Sequence, residues 1–75
     1  MLNETEAIQK AKEAFRDYTL ESGTLCGRTY AFTATKNGEL VYGCLCIDAK
    51  TGDPCGSPDI MKLTKAFQAH SFTVI

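Results

Sequence analysis

The chain has 75 residues and a formal net charge of −1, with eight Lys and Arg against nine Asp and Glu; 44% of it is hydrophobic and 23% charged. That is the balance of a globular chain rather than a disordered one, and a single domain of this size buries only about 60% of its unfolded surface, so its core is small. Near-neutral charge excludes the concentrated basic face with which nucleic-acid binders displace counterions, and no apolar run is long enough to span a bilayer, so neither nucleic acid nor membrane is an expected partner.

The amino terminus, MLNETEAIQK, lacks both the basic and the apolar region of a signal peptide, so the expected location is cytoplasmic. Residues 3–20 read as a helix. Asn3 with Glu6 makes a capping box, and Ile8, Ala11, Phe15 and Tyr18 fall on one stripe. Gly23 reads as its terminator, because glycine takes the left-handed conformation without strain.

Residues 28–48, RTYAFTATKNGELVYGCLCID, read as a β-hairpin turning at Asn37-Gly38, the pair a type I′ turn prefers. That turn sets Lys36 opposite Glu39, Ala34 opposite Val41, Phe32 opposite Gly43, Tyr30 opposite Leu45 and Arg28 opposite Ile47 on a core face. The other face carries Thr33 with Tyr42, Ala31 with Cys44, and Thr29 with Cys46. Phe32 is expected to fill the space that Gly43 leaves.

Residues 49–52 form a second turn, after which a short edge strand from Asp53 sets Cys55 opposite Cys46; Pro54 cannot donate to a ladder and confines it to the edge. A second helix is expected from Ser57, with Ser57 as N-cap, Pro58 in the first turn, and Ile60, Leu63 and Phe67 as its apolar stripe beside Ala66. Residues 71–75 alternate and are β-rich, a last strand for the hairpin. The expected fold is α+β: a small antiparallel sheet, order α-β-β-(β)-α-β, with two helices packed on one face and the Thr29, Ala31, Thr33, Tyr42, Cys44 and Cys46 face left wet.

Glu6-Ala7-Ile8 and Ala11, then Gly38 and Tyr42, then Asp48-Ala49-Lys50-Thr51-Gly52-Asp53 follow the pattern of a PepSY domain, which residues 4–55 resemble. The resemblance implies a non-catalytic binding or inhibitory module, similar to protease propeptide segments. The αβββα order also echoes a double-stranded RNA-binding domain. That module opens its last helix with a basic cluster, whereas Ser57-Pro58-Asp59 would repel phosphate.

Four cysteines are the unusual feature for a chain this short. Cys26, Cys44, Cys46 and Cys55 are the candidate ligands of a structural zinc, yet their C-x17-C-x-C-x8-C spacing contains no C-x2-C knuckle. Free, buried thiols are the leading expectation, so no cofactor is assigned and zinc is the alternative. Cys46 and Cys55 meet the distance requirement of a disulfide, whereas adjacent Cys44 and Cys46 do not comfortably. His70, the single histidine, has no nucleophile placed near it by the sequence. Turn and capping roles account for Asp48, Asp53 and Asp59, and no phosphate-binding glycine pattern occurs.

Tyr42, flanked by Thr29, Ala31 and Thr33, makes a flat contact patch of small residues around one aromatic. The same composition serves a protein partner and a homodimer equally. The sequence therefore points to a small protein-binding inhibitor or adaptor, not an enzyme, that occludes a partner's surface. Phage-encoded inhibitors such as anti-CRISPR proteins share its size and class. A cysteine-ligated zinc protein and a thiol-dependent enzyme are the alternatives.

Overall fold

A computed structural model describes residues 1–41 and 43–75. The elements in chain order are α1 (Glu4–Ala14), β1 (Thr19–Cys26), β2 (Thr29–Lys36), β3 (Glu39–Leu40), β4 (Leu45–Asp48), α2 (Ile60–Ala69) and β5 (Phe72–Thr73). They build a small α+β fold around one antiparallel sheet in the order β3-β2-β1-β5, with β4 also pairing with β2 on the β3 side. β2 is thus the central strand.

The first helix starts where the sequence places it. Asn3 Oδ1 accepts from the Glu6 N–H at 2.8 Å, and Glu6 Oε1 accepts from the Asn3 N–H at 3.0 Å. The helix ends earlier than expected, with Phe15 as its C-cap, and residues 19–26 form a strand rather than the helix end and its terminator. The reason is a bulge. Leu20 pairs with Ala34 and Ser22 with Thr33, leaving Glu21 as an extra residue. The bulge resets the alternation, so Leu20, Gly23 and Leu25 share a face at spacings that no period-two pattern reveals.

Asn37 and Gly38 both have positive φ, 54° and 80°, as a type I′ turn requires, and Lys36 pairs with Glu39. The expected register continues through Thr35–Leu40, with the Val41 N–H donating to the Ala34 carbonyl at 2.9 Å, and is corrected only after that. Phe32 opposes Leu45, Tyr30 opposes Ile47, Ala31 opposes Cys46 and Thr29 opposes Asp48. Two extra residues are taken up between Leu40 and Leu45, where Gly43 supplies a φ of 85° that a residue with a side chain takes only with strain. A one-residue slip would have exchanged the faces; a shift of two preserves them.

Those faces carry two clusters. On the first, Tyr30, Phe32, Ala34 and Ile47 pack with Leu20, Ala49 and the fully buried Ala7 and Ala11 of α1. On the second, Ala31 and Cys46 pack with Leu63 of α2, and Cys26, Cys44 and Phe67 border them. The two helices therefore cover opposite faces of the sheet, not one face, and the side expected to be wet lies under α2. Thr24 anchors it there. Its buried hydroxyl lies 3.1 Å from the Ala66 carbonyl oxygen and also within reach of that of His70, so the polar side chain is satisfied by the end of the helix.

α2 begins at Ile60 rather than Ser57 because Asp59 is its N-cap, accepting from the Met61 N–H at 2.7 Å, while the Ser57 hydroxyl turns to the Pro58 carbonyl. Ile60 leaves the expected stripe and is exposed; Leu63 is buried, and Ala66 and Phe67 half-buried. After α2 the chain rounds the sheet edge, and β5 pairs with β1, not with the expected hairpin, through Ser22–Thr73 and Gly23–Phe72.

Gly23 is the point of closest approach. A Cβ there would lie 2.7 Å from Phe72 Cζ and 2.9 Å from Phe32 Cδ1. The pairing of an aromatic with a glycine expected between Phe32 and Gly43 is thus made between Phe32 and Gly23. Gly23→Ala is expected to cost about 1–3 kcal/mol through overpacking, and each kcal/mol lowers Tm by roughly 4–8 °C in a domain of this size. In a Phe72→Leu background the penalty should shrink. Thermal melts of the two single variants and the double variant decide it: additive penalties would show that the rings are not what Gly23 makes room for.

Candidate functional site

Among the residues expected to form a contact patch, Ala31 has no exposed surface and sits beneath α2. Thr29 and Thr33 are half-buried, and Thr33 Oγ1 lies 2.7 Å from Ser22 Oγ in a cross-strand pair. Tyr42 lies outside the described residues. Ala31 therefore belongs to the second core, and the described residues that face solvent on this side include Leu40, which pairs with Thr35 and is 65% exposed, and the outer surface of α2.

That surface opens with two adjacent apolar side chains, Ile60 at 69% and Met61 at 68% exposure. Lys62, Thr64, Lys65 and Gln68 continue it, all exposed. The helix sequence IMKLTKAFQA contains two lysines and no acidic residue, which makes this side of an otherwise slightly acidic chain locally basic. Sequence reasoning placed Ile60 in the core. The signal against it was Asp59: an N-cap at that position puts Ile60 in the first turn, beyond the reach of the sheet.

The cysteines gather on the α2 side. Cys46 is buried, Cys26 and Cys44 are half-buried, and Cys55 is exposed; all four are free thiols. Burial pushes the Cys46 thiol above its ordinary pKa, and charge on Cys44, Cys55 or Cys26 would push it further, so the four lie in one electrostatic neighbourhood. Burial raises the Cys44 thiol as well. Among the described residues no three His, Cys, Asp or Glu side chains stand close enough to hold one metal ion. His70 is placed elsewhere. Its Nε2 lies 3.1 Å from Glu4 Oε2, joining the end of α2 to the first turn of α1 around the β5 edge.

The Asp48–Asp53 stretch is a structural turn. Asp48 Oδ1 accepts from the N–H groups of Lys50 at 2.7 Å and Thr51 at 3.1 Å, and the Gly52 N–H closes on the Asp48 carbonyl at 2.8 Å. Ala49 points into the first cluster, and the Lys10 stem lies against Gly52, where a Cβ would come within 2.8 Å of it. Surface depressions of 250–440 Å³ open along α1, beside the C-terminal residues and over Ala49-Lys50 of this turn, and neither His70 nor a cysteine lines them. Among the described residues no buried side-chain nitrogen or oxygen lacks a hydrogen-bond partner, and no helix is long and apolar enough to cross a membrane. Comparison of the chain with protein-family models, curated proteins and solved structures found no match.

Two outcomes follow. Under brief alkylation at neutral pH, Cys55 should be labelled first and Cys46 last, read by peptide mass spectrometry; early loss of Cys46 would contradict its burial. The second concerns Asp48, whose carboxyl is held below its ordinary pKa chiefly by the Lys50 and Thr51 N–H groups. A depressed folded-state pKa stabilises above the unfolded value of 3.8, and the contribution disappears as pH falls through the folded value. Asp48→Asn keeps the accepting oxygen, so urea midpoints of the variant should fall less steeply than wild type below that pH. Parallel curves would remove Asp48 from the acid sensitivity.

Proposed function

We propose that this protein is a non-catalytic protein-binding module, an inhibitor or adaptor that occludes a partner's surface with the outer face of α2. The observation that carries this reading is the pair Ile60 and Met61. Two large apolar side chains stand together in the first turn of a helix whose core-facing side chains are Leu63, Ala66 and Phe67. Exposed apolar anchors bordered by Lys62 and Lys65 suit a protein partner with an apolar recess and an acidic rim. Polar groups committed to the fold, and a histidine paired with Glu4, favour binding over catalysis. The PepSY-like pattern of residues 4–55 points to the same class.

The test uses Ile60→Asp with Met61→Asp, and separately Lys62→Glu with Lys65→Glu. Because these side chains are exposed, both variants should melt within a few degrees of wild type, as surface substitutions usually change stability by under about 0.5 kcal/mol. Each should lose the protein that co-purifies with wild type from the native host. Removal of a central anchor costs about 2 kcal/mol or more, roughly thirtyfold in affinity. Undiminished capture by both variants would move the contact surface off α2, and turnover of a substrate by the purified protein would overturn the non-catalytic reading.

A further inference from the structure

We propose that Cys46 and Cys55 are a disulfide-forming pair, a modification site that reacts with a low-molecular-weight disulfide such as oxidised glutathione. The register carries it. Ile47 bridges Pro54 in antiparallel fashion, the Asp48 N–H donates to the Asp53 carbonyl at 2.8 Å, and the Cys55 N–H donates to the Cys46 carbonyl at 3.0 Å. Those two bonds set Cys46 and Cys55 directly opposite each other. Opposed residues of an antiparallel pair point to the same side, and at a hydrogen-bonded position such as this one their Cα atoms stand about 5.5 Å apart, inside the roughly 4.4–6.8 Å that a disulfide spans.

The other two thiols are less well placed. Cys26 ends β1, and β2 stands between β1 and β4, which puts two strand spacings, about 9.5 Å, between it and Cys46. Cys44 precedes Cys46 by two residues along the same chain segment, a diagonal rather than an opposed position to Cys55. Exposure divides the labour within the pair. Cys55 is open to solvent and meets the dissolved disulfide; Cys46 is buried and is reached only by the sulfur already next to it.

The Cys55 thiolate attacks one sulfur of glutathione disulfide, the S–S bond breaks, and one glutathione leaves as a thiolate that takes up a proton. The Cys46 thiol gives up its proton to solvent and attacks the Cys55 sulfur of the mixed disulfide, expelling the second glutathione. Two protein thiols lose two electrons and two protons, and one glutathione disulfide becomes two glutathione thiols. The product ties residues 53–55 covalently to β4 as a permanent edge strand.

The test equilibrates the folded protein with a glutathione redox buffer, blocks free thiols with N-ethylmaleimide, and maps tryptic peptides by mass spectrometry. Cleavage after Lys36, Lys50 and Lys62 places Cys44 and Cys46 in residues 37–50 and Cys55 in residues 51–62; cleavage after Arg16 and Arg28 isolates Cys26 in residues 17–28. The expected product links 37–50 to 51–62 within one chain, and fragmentation on either side of Leu45 assigns the link to Cys46. Cys44→Ser should retain it, while Cys46→Ser should lose it and accumulate glutathione on Cys55. Fragmentation of the wild-type peptide decides the assignment even where Cys46→Ser fails to fold. A link through Cys44 or Cys26, a link between two chains, or wild-type Cys55 found only free or as a glutathione adduct would overturn the proposal.

Discussion

The missing side chain at Gly23 is the constraint on which the closure of the sheet depends. Phe32 from the central strand and Phe72 from the last one meet edge to face over it, with ring centroids 5.9 Å apart and planes at 78°, and Tyr30 meets Phe72 at 6.2 Å. Aromatic pairs in that geometry add about 0.5–1.5 kcal/mol to the area they bury. β5 has two residues and little ladder of its own, so it is these rings, not its hydrogen bonds, that fix the end of the chain against β1. With β5 fixed, α2 is held at its C-terminal end, because residues 70 and 71 are all that separate them. Gly23 thus reaches, through Phe72, to the helix on the opposite face.

The two faces were legible to different degrees for a physical reason. Hairpin turn, capping box and the opposition of Cys46 to Cys55 are local, each set by a few adjacent residues, and each appears where the sequence puts it. β1 is not local. Its identity rests on pairing with β2 through a turn at Gly27 and Arg28, and the bulge at Glu21 hides its alternation. Once Leu20 and Gly23 are three apart on one face, the segment reads as the tail of a helix. Small residues misled as well. Thr29, Ala31 and Thr33 read as a solvent face by polarity, yet small side chains are what allow a helix to sit close, and Thr24 beside Ala31 is satisfied by α2 carbonyls.

The open surface was less legible than the fold because it depends on which face each helix covers. Placing both helices on one side left Tyr42 and its small neighbours as the open surface. With α2 across the second face, Ala31 is covered, and Ile60 and Met61 join Leu40 among the exposed apolar groups; their position follows from a one-turn question, whether Ser57 or Asp59 is the cap. The cysteines fared better. Their grouping follows from strand parity, and a register shift of two preserves parity, so Cys46 stays on the side of Ala31 and opposite Cys55 although its pairing within the hairpin changed.

The second cluster is much the smaller, with Ala31, Cys46 and Leu63 its buried members against eight on the α1 side. Burial of apolar area at about 25 cal/mol/Å² makes the α1 side the dominant source of stability, and regions with few buried contacts open first. α2 is held by Leu63, by Thr24 and by its tether through β5. The segment from Asp53 to Asp59 leads from the edge of β4 straight into the first turn that carries Ile60 and Met61. A covalent bond between Cys46 and Cys55 would fix the start of the tether before that turn, now held to β4 by two backbone hydrogen bonds, at a point four residues before the Asp59 cap. Constraining the entry to a marginal helix lowers the entropy of its unfolded form and leaves its folded contacts unchanged. The apolar pair at the start of α2 and the thiol pair beside β4 thus occupy one mechanical unit, in which oxidation steadies the surface that the helix presents.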